Sequence, residues 1–150
     1  MAGRPYTRGS YEMRKEYLAG IGLLVISASA NAGDTMAPSN AEAYFISPKN
    51  GEVISGPVRV QMGLKGMGVA PAGVVKNNTG HHHLIINAAT PDPTKPIPSD
   101  DNHRHFGGGQ TETTLKLPPG RHTLQLVVGD HAHIPHKQPV VSERITITVK

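Results

Sequence analysis

Residues 58–65 read Val58-Arg59-Val60-Gln61-Met62-Gly63-Leu64-Lys65. Val58, Val60, Met62 and Leu64 fall on one side of an extended chain, and Arg59, Gln61 and Lys65 on the other. Alternation with period two is the mark of a β-strand with one buried face. The same pattern returns along the chain. Ala43 to Ser47 is a short apolar run ended by Pro48-Lys49-Asn50-Gly51, a turn in which proline fixes φ and Asn-Gly accepts positive φ. Leu84 to Asn87 follows, then Leu115 and Leu117, then Leu124, Leu126 and Val128. Last come Ile145, Ile147 and Val149, set against Arg144, Thr146 and Thr148.

Beyond residue 32 no stretch carries a helical period, and 13 prolines and 17 glycines punctuate the chain. About seven strands separated by turn signals such as Pro118-Pro119-Gly120 predict an all-β antiparallel Greek-key β-sandwich, immunoglobulin-like or cupredoxin-like. At 150 residues the chain has room for one core. Two connections exceed what a hairpin needs, residues 66–80 and 88–102, and loops of that length in compact domains carry function or mobility. With four prolines, the second reads as a stiff arch.

The N-terminal stretch sets the compartment. Met13-Arg14-Lys15 gives a basic start, Leu18 to Ala28 an apolar run, and Ala30-Asn31-Ala32 a small-x-small site of the kind signal peptidase cuts. The expectation is a leader over 1–32 with the true start at Met13 and cleavage after Ala32. A flexible lead-in over 33–42 and a single domain over 43–150 follow. That places the protein in the periplasm or outside the cell. An uncleaved leader would instead tether it to the membrane, although Tyr17 to Ala32 is shorter than the roughly 20 residues a spanning helix needs.

The formal charge of +4 does not describe a nucleic-acid binder. Four Arg/Lys against two Glu lie in residues 1–32, leaving eleven against nine acids in the rest, a body close to neutral. Its only aromatic residues of the Phe, Tyr and Trp type are Tyr44, Phe45 and Phe106, too few for a base-stacking platform. The absence of cysteine removes thiolate nucleophiles, disulfides and sulfur-ligated metal sites.

Histidine is the residue left to carry chemistry. Eight of the 9 fall in three places: His81-His82-His83, His103-Arg104-His105, and His131-Ala132-His133 with His136 close behind. In extended backbone, residues i and i+2 point the same way. Leu84 and Ile86 share parity with His82, so His81 and His83 should project together. Phe106 claims the core parity near the second cluster, leaving His103 and His105 facing away. In the third, Ala132 and Ile134 oppose His131 and His133. His122 shares parity with Leu124 and Leu126 and reads as a hydrogen-bonded strand residue.

Crowded imidazoles repel once protonated, and a metal ion offsets that repulsion by binding their neutral form. The candidate ligands are therefore His81, His83, His103, His105, His131, His133 and His136. Glu112, Asp130 and Gln110 are candidate supporting groups, and Met67 or Met62 a soft ligand for copper(I). Copper leads on the Irving-Williams order, with zinc or nickel behind it. A carrier, buffer or sensor fits these features. A metal-free histidine network in an accessory subunit of a membrane complex is the alternative, and a redox copper enzyme a third reading. No Ser-His-Asp order, carboxylate dyad or phosphate loop supports metal-free catalysis, and Gly107-Gly108-Gly109 reads as a tight turn.

Several stretches carry a family likeness: Gly80 to Ile86, His105 to Glu112, Pro119 to Leu126, and Gly129 to His136 running into Pro139 to Ser142. Over most of residues 45–149 the chain resembles a bacterial exported family, domain of unknown function 4399. The resemblance implies a secreted or periplasmic β domain. It draws attention to His81 to His83, His105, Gln110, Glu112, Asp130, His133 and His136.

Overall fold

The computed structural model describes residues 35–150. The leader, the start at Met13 and the cleavage after Ala32 lie outside the described residues. Nine strands form two sheets. Strands β1 (Glu42–Ser47), β3 (Val58–Lys65) and β7 (Glu112–Leu115) make a three-stranded sheet in the order β1-β3-β7. The other sheet runs β2 (Val53–Ile54), β9 (Ile145–Val149), β8 (Gly120–Gly129), β5 (Thr79–Ile86) and β4 (Gly68–Val69), with β6 (His103–His105) paired to β5.

The alternation in residues 58–65 places the core. Val58, Val60 and Met62 are all but inaccessible, and Ala43 and Leu115 join them from the neighbouring strands. From the other sheet come Leu84, Ile86, Leu124, Leu126, Val128, Ile145, Ile147 and Val149, completing one apolar layer between the sheets. Each fully buried Val, Leu or Ile contributes about 1.5–3 kcal/mol by leaving water, which is what keeps the two sheets face to face. On the outer side of the small sheet Tyr44 lies over Gly63, where a Cβ would collide with its ring.

Two pairings depart from the antiparallel expectation. Strand β2 runs parallel to β9, and β4 parallel to β5. Each of these strands is two residues long. They are segments of passing chain that satisfy edge backbone groups of strands already in place, as in the bonds from Thr148 N to Glu52 O and from Ala70 N to Gly80 O, both 2.9 Å. Residues 35–41 lie against the body: Ala37 is buried in the core, and Lys137 N donates to Thr35 O at 3.0 Å.

The second face of the six-stranded sheet matters most for chemistry. Odd residues of β5 point there, and Ile85 packs with Val127 of β8 and with Ile97 from the proline-rich arch. Asn102 ties the far end of the arch to the sheet by donating from its side chain to Ile86 O at 2.7 Å. The arch thus roofs the part of this face beside His81 and His83.

Candidate metal centre

Strand parity delivers the first two imidazoles. His81 and His83 leave β5 on the face away from the intersheet core and are fully buried, with their Nε2 atoms 3.1 Å apart. Strand β6 adds a third. In the β5–β6 pairing His105 sits directly opposite His83, and the ring centroids of His105 lie 5.0 Å from those of both His81 and His83. Phe106, on the opposite parity, is buried in the core, so its neighbour is held facing outward.

The fourth imidazole arrives by another route. Residues 131–133 are a turn, not the extended His-x-His expected from their spacing. Asp130 N donates to Ile134 O at 2.8 Å and His133 N to Asp130 O at 3.0 Å, closing a tight loop with His133 at φ 67°. Asp130 and its side-chain acceptors outweigh the strand preference, since they satisfy backbone groups that a strand would have to pair elsewhere. His133 consequently turns inward, its ring centroid 4.6 Å from that of His105 and 5.1 Å from that of His81.

Ligand atoms of His81, His105 and His133 all lie within 4.8 Å of one another. Nitrogens sharing one ion at bond lengths of about 2.0–2.1 Å sit about 3–4 Å apart. A contraction of at most about 1–2 Å would therefore let one ion touch all three. His81 and His83 already stand at that spacing. The Nδ1 atoms of both are buried with no hydrogen-bond partner among the described residues, so no protein acceptor fixes which ring nitrogen carries the proton. The cluster could hold a metal ion, and it opens outward, because His105 is exposed and His133 half-buried.

Two glycines, Gly107 and Gly129, make the space. A Cβ on Gly107 would run into the His105 ring. One on Gly129, which faces His81 across the β5–β8 pairing, would come within 3.0 Å of His83 Nε2. On the core side, a Cβ on Gly80 would stand 3.0 Å from His136 Nε2. These glycines flank the histidine motifs, and their spacing was the available sequence signal for them.

Burial keeps the inner rings neutral. It lowers His83 to about 3, helped by repulsion from His81, His105 and His133. It also lowers His81 to about 4, with His105 and His133 adding to the shift and the Asp130 carboxylate opposing it. His105 is depressed by burial and then by His133. Neutral imidazole is the form that binds metal, so the site meets an ion without first shedding protons.

The remaining candidates lie elsewhere. His103 shares the outward parity of His105, but its Nδ1 binds Asp100 Oδ1 at 2.8 Å. His131 and His136 border a separate hollow of about 360 Å³ with Asp130, Lys76 and Thr79. His136 is buried and its ring depressed, first by desolvation. Glu112 bonds Arg59 at 2.9 Å and Gln61 at 3.3 Å on the small sheet, and Gln110 accepts from Gly108 N at 3.0 Å inside the glycine turn. Met62 and Met67 pack with the intersheet core, whereas His81 and His83 leave the other face of β5. His82, fully buried, shares the core parity of Leu84. His122 is bonded at both nitrogens, accepting from the Asn87 amide at 2.9 Å and donating to Pro118 O at 2.8 Å.

The family model described as Domain of unknown function (DUF4399) matches residues 60–150, which include every histidine of the chain. The chain belongs to this family. No curated protein matches it. A solved structure, the endo-beta-1,4-mannanase from Thermotoga petrophila, is similar over 73% of this chain and 20% of its own length, at 19% identity and a TM-score of 0.43. This chain thus spans about a fifth of that enzyme, and a likeness so slight carries no argument about fold or activity. Among the described residues of this DUF4399 member no helix is long and apolar enough to cross a membrane.

Proposed function

We propose that the protein binds a transition-metal ion outside the cytoplasm, with His81, His83, His105 and His133 as ligands, and serves as a copper carrier, buffer or sensor. The observation that carries this is the convergence of His81, His105 and His133, drawn from three separate segments, onto a space their ligand atoms span within 4.8 Å. An all-imidazole set suits copper(II), with zinc or nickel next in order. Export rests on the basic, apolar and small-residue succession from Met13 to Ala32. The sandwich is assigned to the Greek-key, immunoglobulin-like or cupredoxin-like class. The return of β7 to the small sheet between β6 and β8 of the large one supports that assignment.

The test is metal retention by untagged protein. After loading and dialysis, elemental analysis should find near-stoichiometric copper, and the His81→Ala/His83→Ala variant should retain none. A wild-type protein that keeps no transition metal overturns the proposal. One observation favours a second reading: 3.1 Å between Nε2 atoms is also the length of an N–H···N hydrogen bond. A structural network of metal-free histidines would then hold the turn and strands together, and metal would leave the stability of the protein unchanged.

A further inference from the structure

Asp130 is buried to 1% exposure, and its carboxylate organises the loop that completes the imidazole cluster. Its Oδ1 accepts from Ala132 N at 2.8 Å and from Ile134 N at 3.0 Å. Its Oδ2 accepts from Thr35 Oγ1 at 3.1 Å. The backbone of the same residue closes the loop through His133 N and Ile134 O. One residue thus binds the turn from both its main chain and its side chain.

What the turn holds is a left-handed histidine. At φ 67°, His133 occupies the left-handed region, which residues with a Cβ enter at a cost, histidine at less than most. Glycine would relieve that strain but would supply no imidazole. The carbonyl of His133 is pinned in turn, accepting from Ile97 N of the arch at 2.8 Å. With the loop held by these restraints, the ring lies against those of His105 and His81.

We propose that Asp130 is a positioning residue for the metal centre. It works through the backbone of the 130–134 turn, which fixes His133 in the left-handed conformation. The metal-binding consequence rests on the function proposed above; the conformational one does not.

Asparagine retains an acceptor oxygen for Ala132 N and Ile134 N, whereas alanine removes it, so the two substitutions separate geometry from charge. In metal-free protein, NMR couplings and contacts should show His133 left-handed and against His81 and His105 in the wild type and in Asp130→Asn, but not in Asp130→Ala. On copper titration, Asp130→Ala should weaken binding about 10- to 100-fold and Asp130→Asn by less than about threefold. Asp130→Ala/His133→Ala should bind no more weakly than His133→Ala alone, because a residue acting through His133 has nothing left to act on. If Asp130→Ala does not fold, Asp130→Ser, whose shorter side chain cannot reproduce both bonds to Ala132 N and Ile134 N, takes its place and should bind copper more weakly than Asp130→Asn.

Retention of the left-handed His133 in Asp130→Ala overturns the proposal. So does a fall in Asp130→Asn as deep as in the alanine variant, or a double variant clearly weaker than His133→Ala. So does an Asp130→Ser variant that binds as tightly as Asp130→Asn. A wild type that takes up no copper would defeat the metal reading alone, and the NMR comparison would still decide the role of Asp130.

Discussion

His105 stands directly across the β5–β6 pairing from His83, with their ring centroids 5.0 Å apart and their planes 28° from parallel. His103 is its neighbour on the same outward parity, across from Ile85, and is bound to Asp100 instead. Two histidines of one three-residue strand therefore have separate fates. His105→Ala should weaken copper binding at least tenfold, while His103→Ala should leave it within about twofold, as titration with a competing chelator will measure. Equal losses from both would mean that the cluster is not the binding site.

Acid should loosen the metal-free protein in a definable window. His81 and His82 are lowered to about 4 and His83 to about 3, in each case chiefly by burial, against an ordinary value of 6.5. Between these values the unfolded chain takes up more protons than the folded one, so stability rises with pH. The contribution is complete above about pH 6.5 and is lost as pH falls toward about 4. Denaturation midpoints at pH 7.5, 5.5 and 4.5 should fall in that order. Asp92, lowered to about 2 by its bonds to Thr94, gives way only below this range. A flat profile down to pH 4.5 would show that the histidines are not buried neutral.

Gly107→Ala tests the site without touching a ligand. Its backbone is not left-handed, so alanine adds no strain there, but the new methyl group occupies the place of the His105 ring. His105 is exposed, so the displacement does not reach the core. Thermal stability should change little, and copper affinity should drop about tenfold. An unchanged affinity would remove His105 from the ligand set.

Removing Glu112 makes the opposite comparison. Its carboxylate is held below the usual range by Arg59 and then Gln61, on the outer side of the small sheet. Glu112→Gln should alter neither metal affinity nor, measurably, stability, because exposed ion pairs of this kind contribute little. A loss of copper in this variant would show that the site draws on the small sheet.

The alternation rule located what depends on alternation. Val58, Val60 and Met62 point inward as read, and the parity of Leu84 and Ile86 correctly separates His81 and His83 from His82. The same rule could not reach residues 131–133, where Asp130 caps a turn through bonds to Ala132 and Ile134 that override period two. Nor could spacing separate His105 from His103, since their difference lies in Asp100, three residues from His103, whose carboxylate reaches its ring. The two parallel pairings were hidden for a related reason: strands as short as Val53–Ile54 and Gly68–Val69 offer no period to read.

The four converging imidazoles come from β5, β6 and the 130–134 turn, segments separated by long stretches of chain, in a protein with no cysteine. An ion shared among them would act as a removable cross-link. It would close two large loops of the unfolded chain, as disulfides do elsewhere, yet could be inserted or withdrawn without an oxidant. At a free metal concentration of 100 times the dissociation constant, such a clasp adds about 2.7 kcal/mol to the folded state. Metal supply would then set how long the folded protein survives.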